Sequence, residues 1–247
     1  MGDALLAKQQ GYDVCVSDGS DVKTEYRDEL LNAGIDFEEG MHTEAKILNA
    51  DEVMKSPGIP EKAGIVKKIR AKGIDIIDLS LGEPDFDTPQ HIKDAVKKAV
   101  DENYSHYPPV AGYPELKEAV FTKLKRDNRL DYKPENIVVS NGAKHSIANL
   151  IMAVVDIGEE VIIPTPYWVT YSEIVKLCEG VPVVVNTSLQ NGYKIKPGEL
   201  EDAITPKTRL FMFSSPCNPT GAVYTKDELK ALADVFKKYP NVYIMSD

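Results

Sequence analysis

Residues 136–155 read NIVVSNGAKHSIANLIMAVV. The apolar run Ile137-Val138-Val139 predicts a strand, and the apolar spacing that follows predicts a helix over 146–155. Between them lie Ser140-Asn141-Gly142-Ala143-Lys144-His145-Ser146, small or polar, so the chain passes through a tight turn straight into a helix start. Such a start presents free backbone N–H groups and the positive end of the helix dipole, a natural seat for phosphate. The same turn also serves plain strand-to-helix packing. Its partners elsewhere in the chain must decide.

Working outward, apolar runs and amphipathic stretches alternate. EEVIIPTP (159–166) predicts a strand, YWVTYSEIVKLCEG (167–180) a helix, VPVVVNT (181–187) a strand and PGELEDAI (197–204) a helix. RLFMFSSP (209–216) predicts a strand, KDELKALADVFKKY (226–239) a helix and NVYIMSD (241–247) a last strand. Upstream, IDLSLGEPD (77–85) reads as a strand entering a Gly/Pro turn, and helices are predicted over 88–103 and 115–128. The first part repeats the rhythm: helix over 3–10, strand over 12–18, helices over 24–34 and 44–50, strand over 51–56 ending at Ser56-Pro57-Gly58, and helix over 64–73. Strands alternating with helices predict an α/β fold with parallel strands. The first part opens on a helix with no strand before it, so the strand and Gly-rich turn that normally begin a nucleotide-binding unit are expected to be missing.

Composition narrows the function. The 247 residues are 43% hydrophobic and 28% charged, enough apolar material for a sizeable core. With 29 Lys and Arg against 39 Asp and Glu, the net charge of -10 repels a phosphate backbone, which argues against nucleic acid. No apolar run reaches membrane-spanning length and the start MGDALLAKQQ is too polar for a signal peptide, so a cytoplasmic protein without a membrane role is expected. Cys15, Cys178 and Cys217 are far apart and lack ligand spacing, so neither a disulfide nor a metal site is expected.

Ligands of open α/β sheets bind at the carboxyl ends of the strands. Three residues fall there. Trp168, the only tryptophan, follows 161–166, where its indole suits a flat ring or simple core packing. Asn218, in Ser-Pro-Cys-Asn-Pro-Thr-Gly, has an amide suited to a phenolate oxygen or to an Asx turn. Asp247 ends an apolar strand, a place for a carboxylate only if it meets a cation or is solvated.

The ordered motifs LSLGEPDFDTP, SHYPPVAGYPELKEA, SNGAKHS, PTPYWVTY, SSPCNPTG and the final SD resemble the N-terminal part of a pyridoxal-phosphate-dependent aminotransferase of class I/II, aspartate aminotransferase type, over residues 74–247. The resemblance implies the large domain of fold type I, here truncated, and transfer of an amino group between an amino acid, by default aspartate, and a 2-oxo acid. It implies that the backbone of Gly142, Ala143 and Lys144 holds the cofactor phosphate, that Trp168 stacks on the ring and that Asn218 meets the phenolic oxygen. Asp247 is implied at the pyridine nitrogen, where it keeps the ring a good electron acceptor. Gly82 is implied at the substrate carboxylate, and Tyr107 at the phosphate across a homodimer interface. In that family the Schiff-base lysine and the carboxylate-binding arginines lie beyond the position of Asp247, and Lys144 matches the phosphate turn. No catalytic nucleophile is therefore expected within these residues, nor transamination by them alone.

Residues 1–73 resemble something else. KQQGYDVCVSDGS, GIDFEEGMHTEAKILNADEVMKSPGIP and IVKKIRAKGI are similar to the N-terminal domain of UDP-N-acetylmuramoylalanine:D-glutamate ligase, a Rossmann-like unit that is here partial. That likeness implies Asp18 near a uracil nucleotide. It leaves a peptidoglycan-precursor ligase fragment, or a non-catalytic composite of two gene fragments joined near Arg70-Ala71-Lys72-Gly73-Ile74, as the alternative readings.

Overall fold

The computed structural model describes residues 2–56, 59–78, 82, 84 and 86–247. The chain divides into two compact units, Met1–Tyr104 and Ser105–Asp247.

The first unit holds α1 (Gly2–Gln9), β1 (Cys15–Ser17), α2 (Thr24–Asn32), β2 (Asp36–Glu38), α3 (Glu44–Ile47), β3 (Glu52–Lys55), α4 (Gly64–Ala71), β4 (Asp75–Asp78) and α5 (Gln90–Asp101). β1 pairs in parallel with β2, and β3 with β4. β2 was not predicted. Its Asp36-Phe37-Glu38 is only three residues long and mostly acidic, so no apolar run announces it. The strand predicted over 77–85 overlaps β4 at Ile77-Asp78, and its remainder lies largely outside the described residues, as do Pro57 and Gly58 of the 56–58 turn. Leu5, Leu30 and Ile35 form a small core where α1 and α2 cover the first pair. The β3–α4–β4 crossover spans residue 73, where the sequence suggested a junction. Lys55 at the end of β3, only 4% exposed, lies 3.2 Å from Asp78 at the end of β4 and 3.6 Å from Glu61. The compact unit therefore extends past 73, because β4 is hydrogen-bonded to β3.

The second unit begins with α6 (Pro114–Asn128) and α7 (Ala143–Val154) and continues as β5 (Glu160–Pro164), α8 (Thr170–Leu177), β6 (Val181–Val185), α9 (Pro197–Ala203), β7 (Thr208–Phe213), α10 (Lys226–Phe236) and β8 (Tyr243–Ser246). Its sheet is parallel in the order β6-β5-β7-β8. Apolar residues in β5 and β7 run without interruption because both faces are covered. Val161, Ile163, Leu210 and Met212 meet Ile147 and Ile151 of α7 and Tyr171, Ile174 and Val175 of α8. The alternate residues Ile162 and Phe211 meet Leu200 of α9 and Leu232, Val235 and Phe236 of α10. Period-two alternation thus sorts one strand into two cores. α10 starts at a capping box, Glu228 N–H donating to Thr225 Oγ1 at 3.3 Å and Thr225 N–H to Glu228 Oε2 at 2.7 Å.

Two predicted boundaries are corrected. Residues 136–140 do not form a strand: Asn136 closes a short 3-10 turn (Pro134–Asn136), and 137–140 find no strand partner among the described residues, apart from the isolated bond Val139 N–H to Ala111 O at 3.1 Å. An apolar run becomes a strand only where a neighbouring strand accepts its backbone groups. The helix predicted from 167 begins at Thr170, because Thr165-Pro166-Tyr167-Trp168 is still turning away from the end of β5.

Candidate active site

Going from β5 to β6 the chain moves to one side, and from β6 to β7 it crosses back over β5. The switch point between β5 and β7 is where an open α/β sheet leaves a crevice at its strand ends. Pro164, Thr165 and Pro166 after β5, and Ser214 and Cys217 after β7, line a small cavity there together with Tyr171.

Beside it lies a second cleft of about 140 Å³, lined by Ala143, Ser146, Ile147 and Leu150 of α7 and by Met245, Ser246 and Asp247 at the end of β8. The helix start and the terminal carboxylate, 104 residues apart in sequence, thus share one cleft. Gly142 caps α7 with φ +82° and ψ 165°, a backbone region that only glycine visits readily, and no side chain caps the helix. Ser146 N–H donates to Gly142 O, so the helix is entered at once, while the N–H groups of Ala143 and Lys144 have no acceptor among the described residues. They are ready donors for an anion.

Asp247 is fixed at its backbone, its N–H donating to Phe213 O at 2.9 Å. Its carboxylate Oδ2 accepts the hydroxyl of Tyr171, and Oδ1 accepts nothing among the described residues. Asp247 is exposed, in keeping with the solvated alternative, and its carboxylate also accepts a neutral hydroxyl from a residue 1% exposed. Burial, and next the bond to Asp247, push the Tyr171 hydroxyl well above its ordinary range, with Ser214 acting in the opposite sense. Tyr171 therefore stays a protonated donor.

Trp168 packs against the same core and sets its ring edge-on to Tyr171, with centroids 5.8 Å apart. Lys144 Nζ stands 4.9 Å from the Trp168 ring centre. Lys144, Trp168, Tyr171 and Asp247 therefore form a chain of contacts that reaches the cleft at Asp247, while Lys144 and Trp168 line neither cavity. Asn218 lines neither cavity. Its backbone N–H donates to Ser214 Oγ at 3.3 Å, and its side-chain amide makes no hydrogen bond among the described residues, unlike an Asx turn. Of the other predicted residues, Tyr107 is fully exposed on the loop before α6 and lines neither cavity. Gly82 belongs to the first unit, between residues outside the described set. Among the described residues no cluster of His, Cys, Asp or Glu could hold a metal ion, and no helix is long and apolar enough to cross a membrane.

Sequence reading missed Tyr171, Ser146 and Ser214. Tyr171 sits on an amphipathic helix where it reads as core, and only its hydroxyl partner shows otherwise. Its place three residues after Trp168, in the helix start next to that turn, is the signal that could have found it.

The donor set fits pyridoxal 5'-phosphate: unengaged N–H groups for its phosphate, an indole beside them for its ring, and an open carboxylate oxygen for its nitrogen.

Residues 74–247 match the family model for aminotransferase class I and II, and residues 3–65 match that of the MurD N-terminal domain. The aspartate/prephenate aminotransferase of Nitrosomonas europaea is 49% identical over 180 residues, 73% of this chain and 45% of that protein. The aspartate aminotransferase of Geobacillus stearothermophilus is 51% identical over 189 residues, 76% of this chain and 47% of that protein. The crystal structure of the Rhizobium meliloti aspartate aminotransferase superposes with a TM-score of 0.69 at 42% identity, over 73% of this chain and 45% of that one. The chain spans less than half the length of these relatives. The second unit has the α/β architecture of fold type I, and the family implies pyridoxal 5'-phosphate as cofactor. On its matched residues, which make up most of its length, the chain belongs to the class I and II aminotransferases.

Proposed function

We propose that the second unit is the cofactor-holding part of a transaminase that moves an amino group between an amino acid, by default aspartate, and a 2-oxo acid. One observation carries this reading: the start of α7 and the Asp247 carboxylate line the same cleft. When bound there, pyridoxal phosphate supplies an electron sink for the carbanion formed at the amino acid's Cα. The Ala143 and Lys144 N–H groups, with Gly142 setting the turn, hold the phosphate at the helix's positive end. Asp247 keeps a proton at the ring nitrogen, since an ionised carboxylate favours the protonated partner beside it. Trp168 covers the ring face, and the unengaged Asn218 amide suits the phenolic oxygen. In a cytoplasmic homodimer, Tyr107, exposed in one copy, reaches the other copy's phosphate, and Gly82 serves the substrate carboxylate. Lys144 is assigned to the phosphate turn and not to nucleophilic chemistry.

Trp168, the single tryptophan, is the reporter. Pyridoxal 5'-phosphate should quench its emission saturably, and pyridoxamine 5'-phosphate, which has no aldehyde to react with surface lysines, should do the same. Asp247→Asn should weaken both by about tenfold, the scale of one charge-assisted contact. Absence of saturable quenching refutes the reading. The match over residues 3–65 favours a second reading for the first unit alone, a uridine nucleotide near Asp18, whose carboxylate already accepts Ser20 N–H at 2.9 Å. Saturable binding of a uridine diphosphate nucleotide, lost in Asp18→Asn, would support it.

A further inference from the structure

We infer that Asn141 is a self-modifying site: its side-chain amide is lost as ammonia through attack by the Gly142 nitrogen, which leaves a carboxylate at the start of α7 and weakens anion binding there. The loss of the amide stands on the local structure alone. Its effect on binding rests on the reading of the α7–β8 cleft as a cofactor site.

The chain holds two Asn-Gly pairs, Asn141-Gly142 and Asn191-Gly192. Glycine in second place suits this chemistry, because without a Cβ its nitrogen is unshielded and its backbone is free to bring that nitrogen to the side-chain carbonyl carbon. The structure treats the two pairs differently. Asn191 is half-buried, its Nδ2 donates to Glu199 Oε1 at 3.4 Å, and its backbone carbonyl accepts Lys194 N–H at 3.3 Å. Asn141 and Gly142 are both exposed, and the Asn141 side chain makes no hydrogen bond among the described residues. Only the backbone of Asn141 is held, its N–H donating to His145 Nδ1 at 3.1 Å. Each glycine N–H must first leave one carbonyl. For Gly142 this is Ser140 O at 2.9 Å, two residues back, the bent bond of a three-residue turn; for Gly192 it is Leu189 O at 2.9 Å, within a 3-10 turn. Asn141 is thus the open pair and Asn191 the guarded one.

Solvent hydroxide takes the Gly142 amide proton, the nitrogen bonds to Asn141 Cγ, and the Cγ–Nδ2 bond breaks with Nδ2 leaving as ammonia. Water then opens the resulting succinimide at either carbonyl, giving aspartate or its β-linked isomer. Water is consumed and ammonia released in equal amounts, and nothing is oxidised or reduced. The negative charge that develops during attack lies beside the positive end of α7, where the Ala143 and Lys144 N–H groups have no acceptor among the described residues. The same placement gives the product its consequence. A carboxylate at 141 competes for those N–H groups and repels a phosphate approaching them.

The test ages the full chain at mildly alkaline pH and follows both pairs by mass spectrometry. Trypsin places them on separate peptides, 130–144 and 177–194, since Lys133 precedes a proline. The 130–144 peptide should take on the mass of the acid and become a substrate for isoaspartate-specific methylation. It should convert about fivefold faster than 177–194, the factor set by one net hydrogen bond on the guarded side chain. Asn141→Gln, whose longer side chain closes the ring poorly, should stop the conversion. In a separate arm, Asn141→Asp should weaken the quenching of Trp168 by pyridoxamine 5'-phosphate about tenfold through like-charge repulsion. A 130–144 peptide that keeps its amide, or equal rates on the two peptides, overturns the inference. Wild-type affinity in Asn141→Asp overturns its consequence for binding. Absence of saturable quenching in the unaged parent refutes the cofactor reading instead, and the peptide map still decides the modification.

Discussion

Gly142→Ala separates two reasons for a glycine at the helix start, and its cost can be worked from the backbone alone. At φ +82° and ψ 165° the residue occupies a region that side chains rarely enter. A Cβ built there meets no atom within 4 Å, so crowding contributes nothing. The cost is therefore conformational, about 1–3 kcal/mol for a residue forced into such a region. Alanine also narrows the unfolded ensemble, which offsets about 0.4–1 kcal/mol. The net destabilisation is about 1–2 kcal/mol, which at about 2–4 °C per kcal/mol lowers the melting midpoint by about 2–8 °C. The assay is thermal unfolding of the second unit followed by Trp168 emission, with pyridoxamine 5'-phosphate affinity measured alongside. If the chain instead relaxes the turn to accommodate alanine, the midpoint holds while the Ala143 and Lys144 N–H groups lose their alignment, and affinity falls alone. A variant as stable as the parent that binds the phosphate compound equally well would refute the argument that this turn is both strained and functional.

Two further outcomes follow from the packing and the charges. Phe211 is 1% exposed, with its ring centroid 5.4 Å from that of Phe213 and 5.3 Å from that of Phe236, so Phe211→Ala should cost about 3–5 kcal/mol in a denaturant titration; a loss under 1 kcal/mol would mean that this face of the sheet repacks freely. The carboxyl of Glu228 is held down to about 2 from 4.5, first by the hydrogen bond from Lys194 and then by Thr225 N–H. Its stabilising effect is accordingly complete above about pH 4.5 and drains away as pH falls toward 2, so Glu228→Gln should flatten that part of the acid-unfolding curve, and an unchanged curve would show that the carboxylate contributes nothing.

The local residue pattern alone was enough to mark most elements. Apolar runs at 161–164 and 210–213 marked strands, Gly and Pro marked the turns, and the amphipathic stretch 226–239 marked α10. The order of motifs also named the residues Gly142, Ala143, Lys144, Trp168, Asn218 and Asp247 before their positions were known. Pairing was another matter. The run 137–139 had the composition of a strand and found no partner, whereas Asp36-Phe37-Glu38 lacked that composition and paired with β1. Strand formation depends on which backbone groups lie alongside, and that is a property of the assembled sheet. The same holds for the site. Only the crossover order β6-β5-β7-β8 opens a crevice between β5 and β7, and only the packing of α7 against the end of β8 brings Ala143 to Asp247. The Tyr171–Asp247 bond joins residues 76 apart, and a tyrosine on the buried face of a helix carries no local mark of where its hydroxyl points. Chain chemistry is local and was legible; contacts between distant segments exist only once the core of the second unit has closed around them.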